Sequence, residues 1–324
     1  RINWGIIAPG HIAEKFANDI PLADDAVLYA VASRNKNKAE RFAKDHNAVK
    51  YYGNYEELAH DPNVDVVYIA SPHIFHYEHS MMCMEAGKSV LCEKPAAVNH
   101  AQLVEMTQKA KEKQVFFMEA LWTFFIPANR KAFELINDGI VGKPQIVKAD
   151  FGFKADFNPE KRLFNKQLAG GSLLDIGIYP VLLSLSVFGK PRNIMATANF
   201  SSTGIDSSCA MLFDYADEQK AILDSTLLCN TATEAWIYGD KAALKLHGRF
   251  HHAQKLSVHK NHECIDTYEI NYQGNGYVHE INEVSNCLKN GRLQSKIIPH
   301  AFSLDLIETL DRVREIIGLQ YDKV

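Results

Sequence analysis

Over the first 120 positions, short runs of apolar residues alternate with amphipathic stretches. Ile2–Ala8, Ala26–Ala32, Val64–Ala70, the run between Gly87 and Pro95, and Val115–Glu119 are bounded by glycine, proline or polar residues. Runs this short and this apolar are the pattern of buried strands. Between them, Ile12–Ile20, Lys36–His46, Phe75–Ala86 and Asn99–Lys113 repeat apolar residues at helical spacing. The alternation predicts a doubly wound parallel sheet. A further helix at Asn129–Asp138, stopped by Gly139 and Gly142, leads into a different texture. Gln145–Phe153, Asn193–Phe200, Ser208–Tyr215, Lys220–Leu228, Glu234–Tyr238 and Glu269–Tyr272 are β-prone segments, mostly without intervening helices. That predicts a large, mostly antiparallel sheet. One helix, Gly170 to Phe188, interrupts it, with Ser172 placed to cap its start and Pro180 to bend it after Tyr179. Gly276–Asn290 and Ala301–Ile317 are helical again. The expected architecture is α/β: a parallel-sheet domain over 1–121 and an α+β domain over 122–324, whose last helices are free to pack back on the first.

A net charge of −4 excludes a dominant role in binding nucleic acid or acidic membranes. No signal peptide is visible, and no apolar run approaches the ~18 residues of a spanning helix. Six cysteines lie far apart, without a Cys-x-x-Cys pair. Reduced thiols and a cytoplasmic location are therefore expected.

Candidate chemistry clusters where parallel strands end, because ligands of open α/β sheets bind there. The turn Ala8-Pro9-Gly10-His11-Ile12-Ala13 joins the first strand to the first helix, the context of a dinucleotide fingerprint with alanine in its first glycine position. A side chain at Gly10 would hold the backbone away from a pyrophosphate, and the helix start offers that group free N–H donors. The second strand ends in Ser33 and Arg34, with Lys38 one turn on, where NAD sites carry a carboxylate for the ribose hydroxyls. A guanidinium and a hydroxyl suit a 2′-phosphate, so NADP is preferred over NAD. The third strand ends in Ser71-Pro72-His73, and His76 is placed to reach nicotinamide or substrate. His73, His76 and His79 lack the further ligands of a zinc site, so no metal is expected. Glu93 and Lys94 close the next strand, the lysine pointing into the crevice. Asp175 and Tyr179, four apart, share one helix face. Either Tyr179 or Lys94 carries the proton of an acid–base step. Trp122, Phe125 and Phe153 are candidate apolar walls for a substrate, with packing between domains the competing use of the aromatic cluster.

The stretches Cys92-Glu93-Lys94-Pro95, Met118-Glu119-Ala120-Leu121-Trp122 and Gly170 through Tyr179 resemble the glucose–fructose oxidoreductase / inositol dehydrogenase family, most closely its dihydrodiol dehydrogenase branch. The resemblance spans nearly the whole chain. It implies a Rossmann domain followed by a domain whose open sheet makes homodimers or homotetramers. It also implies NAD(P)-linked oxidation or reduction of sugars, polyols and cyclic diols. By the resemblance Lys94 is the catalytic lysine and Asp175 the aspartate of the second motif. Tyr179 stands where inositol dehydrogenases carry histidine. A sugar dehydrogenase, a glucose–fructose-type enzyme with retained cofactor, and a non-catalytic nucleotide sensor are the alternatives.

Overall fold

A computed structural model describes residues 1–321. The chain divides into two compact units, Arg1–Phe124 with Gln273–Leu304, and Phe125–Tyr272 with the chain from Asp305 onward.

In the first unit the strands β1 (Ile2–Ile7), β2 (Ala26–Ala32), β3 (Lys50–Tyr52), β4 (Val66–Ile69), β5 (Ser89–Glu93) and β6 (Phe117–Ala120) alternate with α1 (His11–Asp19), α2 (Lys36–Asp45), α3 (Tyr55–Ala59), α4 (His76–Glu85) and α5 (His100–Lys113). Among the described residues the six strands form one parallel sheet in the order β3-β2-β1-β4-β5-β6, a Rossmann topology. All four residues of β4 and all five of β5 are buried, as strands covered on both faces must be. The order reverses between β1 and β4, so the ends of these two strands flank the crevice that such sheets use for ligands. The C-terminal segment is tied in by Asp19, 1% exposed at the end of α1. Its carboxylate accepts from the backbone N–H of Asn275 (2.8 Å) and Tyr277 (2.8 Å) and from Asn275 Nδ2 (2.9 Å). Each such charge-assisted bond contributes about 1.5–3 kcal/mol when its donor is buried. Gly274 permits the approach: at φ +60°, a Cβ there would lie 2.3 Å from Asp19 Oδ1.

The second unit is built from α6 (Pro127–Asn137), β7 (Pro144–Gly152), α7 (Ile178–Phe188), β8 (Asn193–Phe200), β9 (Asp206–Asp214), β10 (Lys220–Thr226), β11 (Ala235–Gly239), β12 (Ala243–Leu246), β13 (Lys255–Lys260) and β14 (Glu263–Glu269). Helices α8 (Val278–Lys289) and α9 (His300–Ile317) follow in the chain. Its eight described strands run β14-β13-β12-β11-β7-β10-β9-β8, antiparallel except for the β7–β10 pair. Burial alternates along β8 and β12, as in a sheet with one covered face. Two predicted features are corrected. The last strand ends at Glu269, where it was expected to begin. The helix expected to run from Gly170 is not one continuous α-helix. Instead a π turn over Leu173–Gly177 precedes an unbroken α7, with Pro180 in its first turn. Pro180 has no N–H for the carbonyl of Ile176, so the α pattern cannot run back through this point. The segment Lys166–Phe188 is long and apolar enough to cross a membrane, but 83% of its apolar window is buried within the protein, as in a core helix.

Candidate active site

Two non-polar residues set the β1–α1 turn. Ala8 takes φ +61°, a conformation that favours glycine, whereas Gly10 is extended at φ −126°, ψ −167°, which any residue adopts. A Cβ on Gly10 would meet nothing described closer than the Ala8 carbonyl oxygen at 3.9 Å. Neither backbone nor packing therefore requires glycine at position 10. Among the described residues no side chain caps α1, so its first-turn N–H groups face outward beside exposed Gly10 and His11 and half-buried Ile12. The turn thus fits a dinucleotide pyrophosphate.

At the end of β2, Ser33 is 7% exposed and its hydroxyl accepts the Asn35 N–H at 3.2 Å. Asn35 caps α2 through the Lys38 N–H (3.1 Å), leaving Arg34 and Lys38 exposed. Arg34 faces Tyr55, whose phenol is pushed up by burial against the pull of that guanidinium. Tyr55 packs edge-on against His79 (4.7 Å), and His79 Nδ1 lies 2.9 Å from Ser71 Oγ. The positive charge expected for a 2′-phosphate is thus seated beside the end of β4.

His76 is not a ligand-facing residue. It is 0% exposed, with Nδ1 2.7 Å from the Pro95 carbonyl and Nε2 2.7 Å from the Ser71 carbonyl. Burial, the largest effect, pushes its pKa down to about 4, while the two carbonyls favour the charged ring. It is a strut between the chain leaving β4 and the chain leaving β5, beside half-buried Pro72. Lys94 follows β5 directly, partly buried, before a cis bond to Pro95. Glu93, 9% exposed, accepts the Lys94 N–H at 3.2 Å and the hydroxyl of fully buried Tyr68, so it braces the lysine from within the protein. Glu119 accepts the Ala96 N–H at 2.9 Å, and burial raises its pKa to about 7. Trp122 stacks on Tyr277 at 4.7 Å.

In the second unit Phe125 is 3% exposed, within the packed core. Asp175 and Tyr179 flank the join between the π turn and α7, 7% and 6% exposed. The Asp175 carboxylate accepts from Arg162 at 2.7 Å. Gly170 makes room for the Arg162 loop, since a Cβ there would lie 2.5 Å from the Arg162 carbonyl oxygen. The Tyr179 ring lies 4.7 Å from His251 and 5.7 Å from Phe151, and His251 stacks on Phe151 at 4.4 Å. Phe151 and Phe153 line an open cavity of about 630 Å³. Among the described residues Ser172 does not cap the helix. Its hydroxyl donates to Asp206 (2.8 Å), and Asp206 accepts the Leu173 N–H (2.7 Å) in its place. Arg162, His251 and Asp206 carry no motif or periodicity that marks them in the sequence. Among the described residues no three His, Cys, Asp or Glu side chains group as a metal site would require.

A Rossmann sheet with an open glycine turn and a lysine at the crevice end of β5 defines a nicotinamide-dinucleotide oxidoreductase. Residues 2–121 match the model described as "Oxidoreductase family, NAD-binding Rossmann fold", and residues 129–245 the GFO/IDH/MocA C-terminal domain. The chain belongs to this family. Trans-1,2-dihydrobenzene-1,2-diol dehydrogenase of Mus musculus is 35% identical over 329 residues, 99% of this chain and 98% of the relative. An aldose-aldose oxidoreductase from Caulobacter crescentus superposes with a TM-score of 0.89 at 20% identity, covering 98% of each chain. A 3-ketoreductase from Actinomadura kijaniata, solved with NADP and TDP-benzene, gives 0.87 at 20% identity, again over 98% of each.

The anchor of the Tyr179 helix has a pH signature. Burial raises the Asp206 pKa from its ordinary 3.8 to about 7, outweighing its hydrogen bonds. The folded state then holds the proton more tightly than the unfolded one. Stability is fully present below about pH 4 and falls as pH rises through 7. Asp206→Asn keeps an oxygen for the same two donors and removes the titration. Urea unfolding at intervals from pH 4 to 7.5 should show a shallower loss of stability in Asp206→Asn than in the wild type; parallel curves would contradict the assignment.

Proposed function

We propose that the protein catalyses reversible hydride transfer between NADP and a carbinol carbon of a sugar, polyol or cyclic diol. The observation that carries this reading is the Gly10 turn, where neither backbone nor packing requires a glycine and the start of α1 has no side-chain cap. The 35% identity to a dihydrodiol dehydrogenase supports the cyclic-diol substrate class.

When bound, the nicotinamide ring supplies the hydride acceptor or donor. The protein supplies everything else. The first-turn N–H groups of α1 hold the pyrophosphate, and Arg34 with Ser33 and Lys38 receives the 2′-phosphate. As the carbinol C–H leaves as hydride, the reaction needs a base for the hydroxyl proton, a role we assign to Tyr179 as its phenolate, and a cation for the charge developing on the oxygen, a role we assign to Lys94. Asp175, paired with Arg162, fixes the turn that presents Tyr179. We also infer self-association through the open face of the second sheet, where Met195 (53% exposed) and Ile222 (45%) lie in one cross-strand row through Leu212. A monomer mass by light scattering would remove that part.

Lys94→Met and Tyr179→Phe should each lower kcat by about 10² or more while NADPH still binds, read by nicotinamide absorbance over a panel of sugars and dihydrodiols. Normal turnover in both variants would discard the assignment. Arg34→Ala should cut the NADP-to-NAD ratio of kcat/KM by about tenfold or more, the loss of one charge-assisted contact; an unchanged ratio means another group reads the phosphate.

A further inference from the structure

We propose that the cavity lined by Phe151, whose ring neighbours that of Tyr179, is an anion-reading subsite in which Arg249 selects alcohols that carry a carboxylate or phosphate group. The proposal rests on the reading above only for the role of Tyr179.

Three features of the second unit converge on it. The cavity is walled on one side by Phe151 and Phe153, and on the other by short neutral polar side chains including Asn230 and Thr231. Arg249 is the one charged residue of its lining, and no carboxylate is among the lining residues described. Arg249 is exposed at the cavity, and the carboxylate of Asp150 is turned to the backbone N–H groups of Thr233 and Glu234. The planar guanidinium fork fits a carboxylate or phosphate with two parallel hydrogen bonds. The aromatic wall suits the apolar face of a ring, so the occupant is a cyclic alcohol with an anionic substituent.

The backbone supports the same reading. Arg249 sits at φ +60°, ψ +54°, a left-handed conformation that disfavours a side chain such as arginine. It is held there by the next residue. The Phe250 N–H donates to the Thr233 carbonyl (2.9 Å), and Asn129, 1% exposed, donates to the Phe250 carbonyl (3.0 Å). Asparagine or glycine would fill this conformation more easily, so backbone geometry does not account for an arginine side chain here. One residue further on, His251 lies against both Phe151 and Tyr179. A single anchored turn therefore carries both Arg249, which lines the cavity, and His251, whose ring lies against that of Tyr179.

The test is equilibrium binding by calorimetry in the presence of NADP, with glucose, glucuronate and glucose 6-phosphate as probes. The wild type should bind at least one of the two anionic sugars ten-fold or more tightly than glucose, and the arm that wins identifies carboxylate or phosphate. Arg249→Asn, which suits the left-handed backbone and preserves the fold, should abolish that gap and leave glucose binding unchanged. Arg249→Lys should restore part of it. Equal affinity for the three sugars, no binding of either anionic sugar, or a gap that survives in Arg249→Asn would overturn the proposal. If the hydride-transfer reading alone is wrong, the gap persists while no bound sugar supports NADPH oxidation.

Discussion

The open space beside Gly10 at the uncapped start of α1 is the constraint on which the ligand crevice of the first unit depends. Most glycines with a positive φ answer to the backbone, and others such as Gly239, whose Cβ would lie 1.9 Å from the Val141 carbonyl oxygen, answer to packing. Gly10 answers to neither. Alanine stands two residues earlier, where the backbone does want glycine, at φ +61°. The turn therefore tolerates strain at one position and keeps open space at another. That space lies at a helix start and at the switch point of a parallel sheet, the two features that make an anion site. Arg34, Ser71 and Lys94 follow the neighbouring strands β2, β4 and β5, so they are fixed by the same sheet.

Polar groups buried in each unit act as fasteners rather than reagents. His76 spans the exits of β4 and β5, Glu93 and Tyr68 brace Lys94 from below, and Asp19 gathers the segment before α8. In the second unit Asp206 holds the first turn of the helix that carries Asp175 and Tyr179. Burying a carboxylate is costly unless its lone pairs are used, and the cost appears as the raised pKa values of Asp206 and Glu119. The arrangement offsets that cost with exact placement of side chains whose chemistry depends on it.

The strands of the parallel sheet could be read in the sequence because burial on both faces demands continuous apolar runs. Strands β3 and β14 could not. The first is three residues long at a sheet edge, and the second is almost wholly exposed, so neither carries a hydrophobic pattern. Gly10, Arg34 and Lys94 were legible because a strand end is a local event. Arg162, Asp206 and His251 were not, since their contacts join segments distant in the chain, such as Asp206 with Leu173. His76 and Phe125 show the converse limit. Position at a strand end does not reveal that the His76 ring is held between two carbonyls, nor an aromatic cluster how deeply the Phe125 ring is buried.

The central claim is that position 10 is kept small for a dinucleotide and for no structural purpose. The direct measurement is NADPH titration, followed by nicotinamide fluorescence, of the wild type and Gly10→Asp. Aspartate suits a helix N-cap and complements the dipole, so the melting temperature should hold or rise. The same carboxylate occupies and repels the pyrophosphate site, so the account expects affinity to fall at least ten-fold. A Gly10→Asp protein that is equally stable and binds NADPH as tightly as the wild type would contradict it.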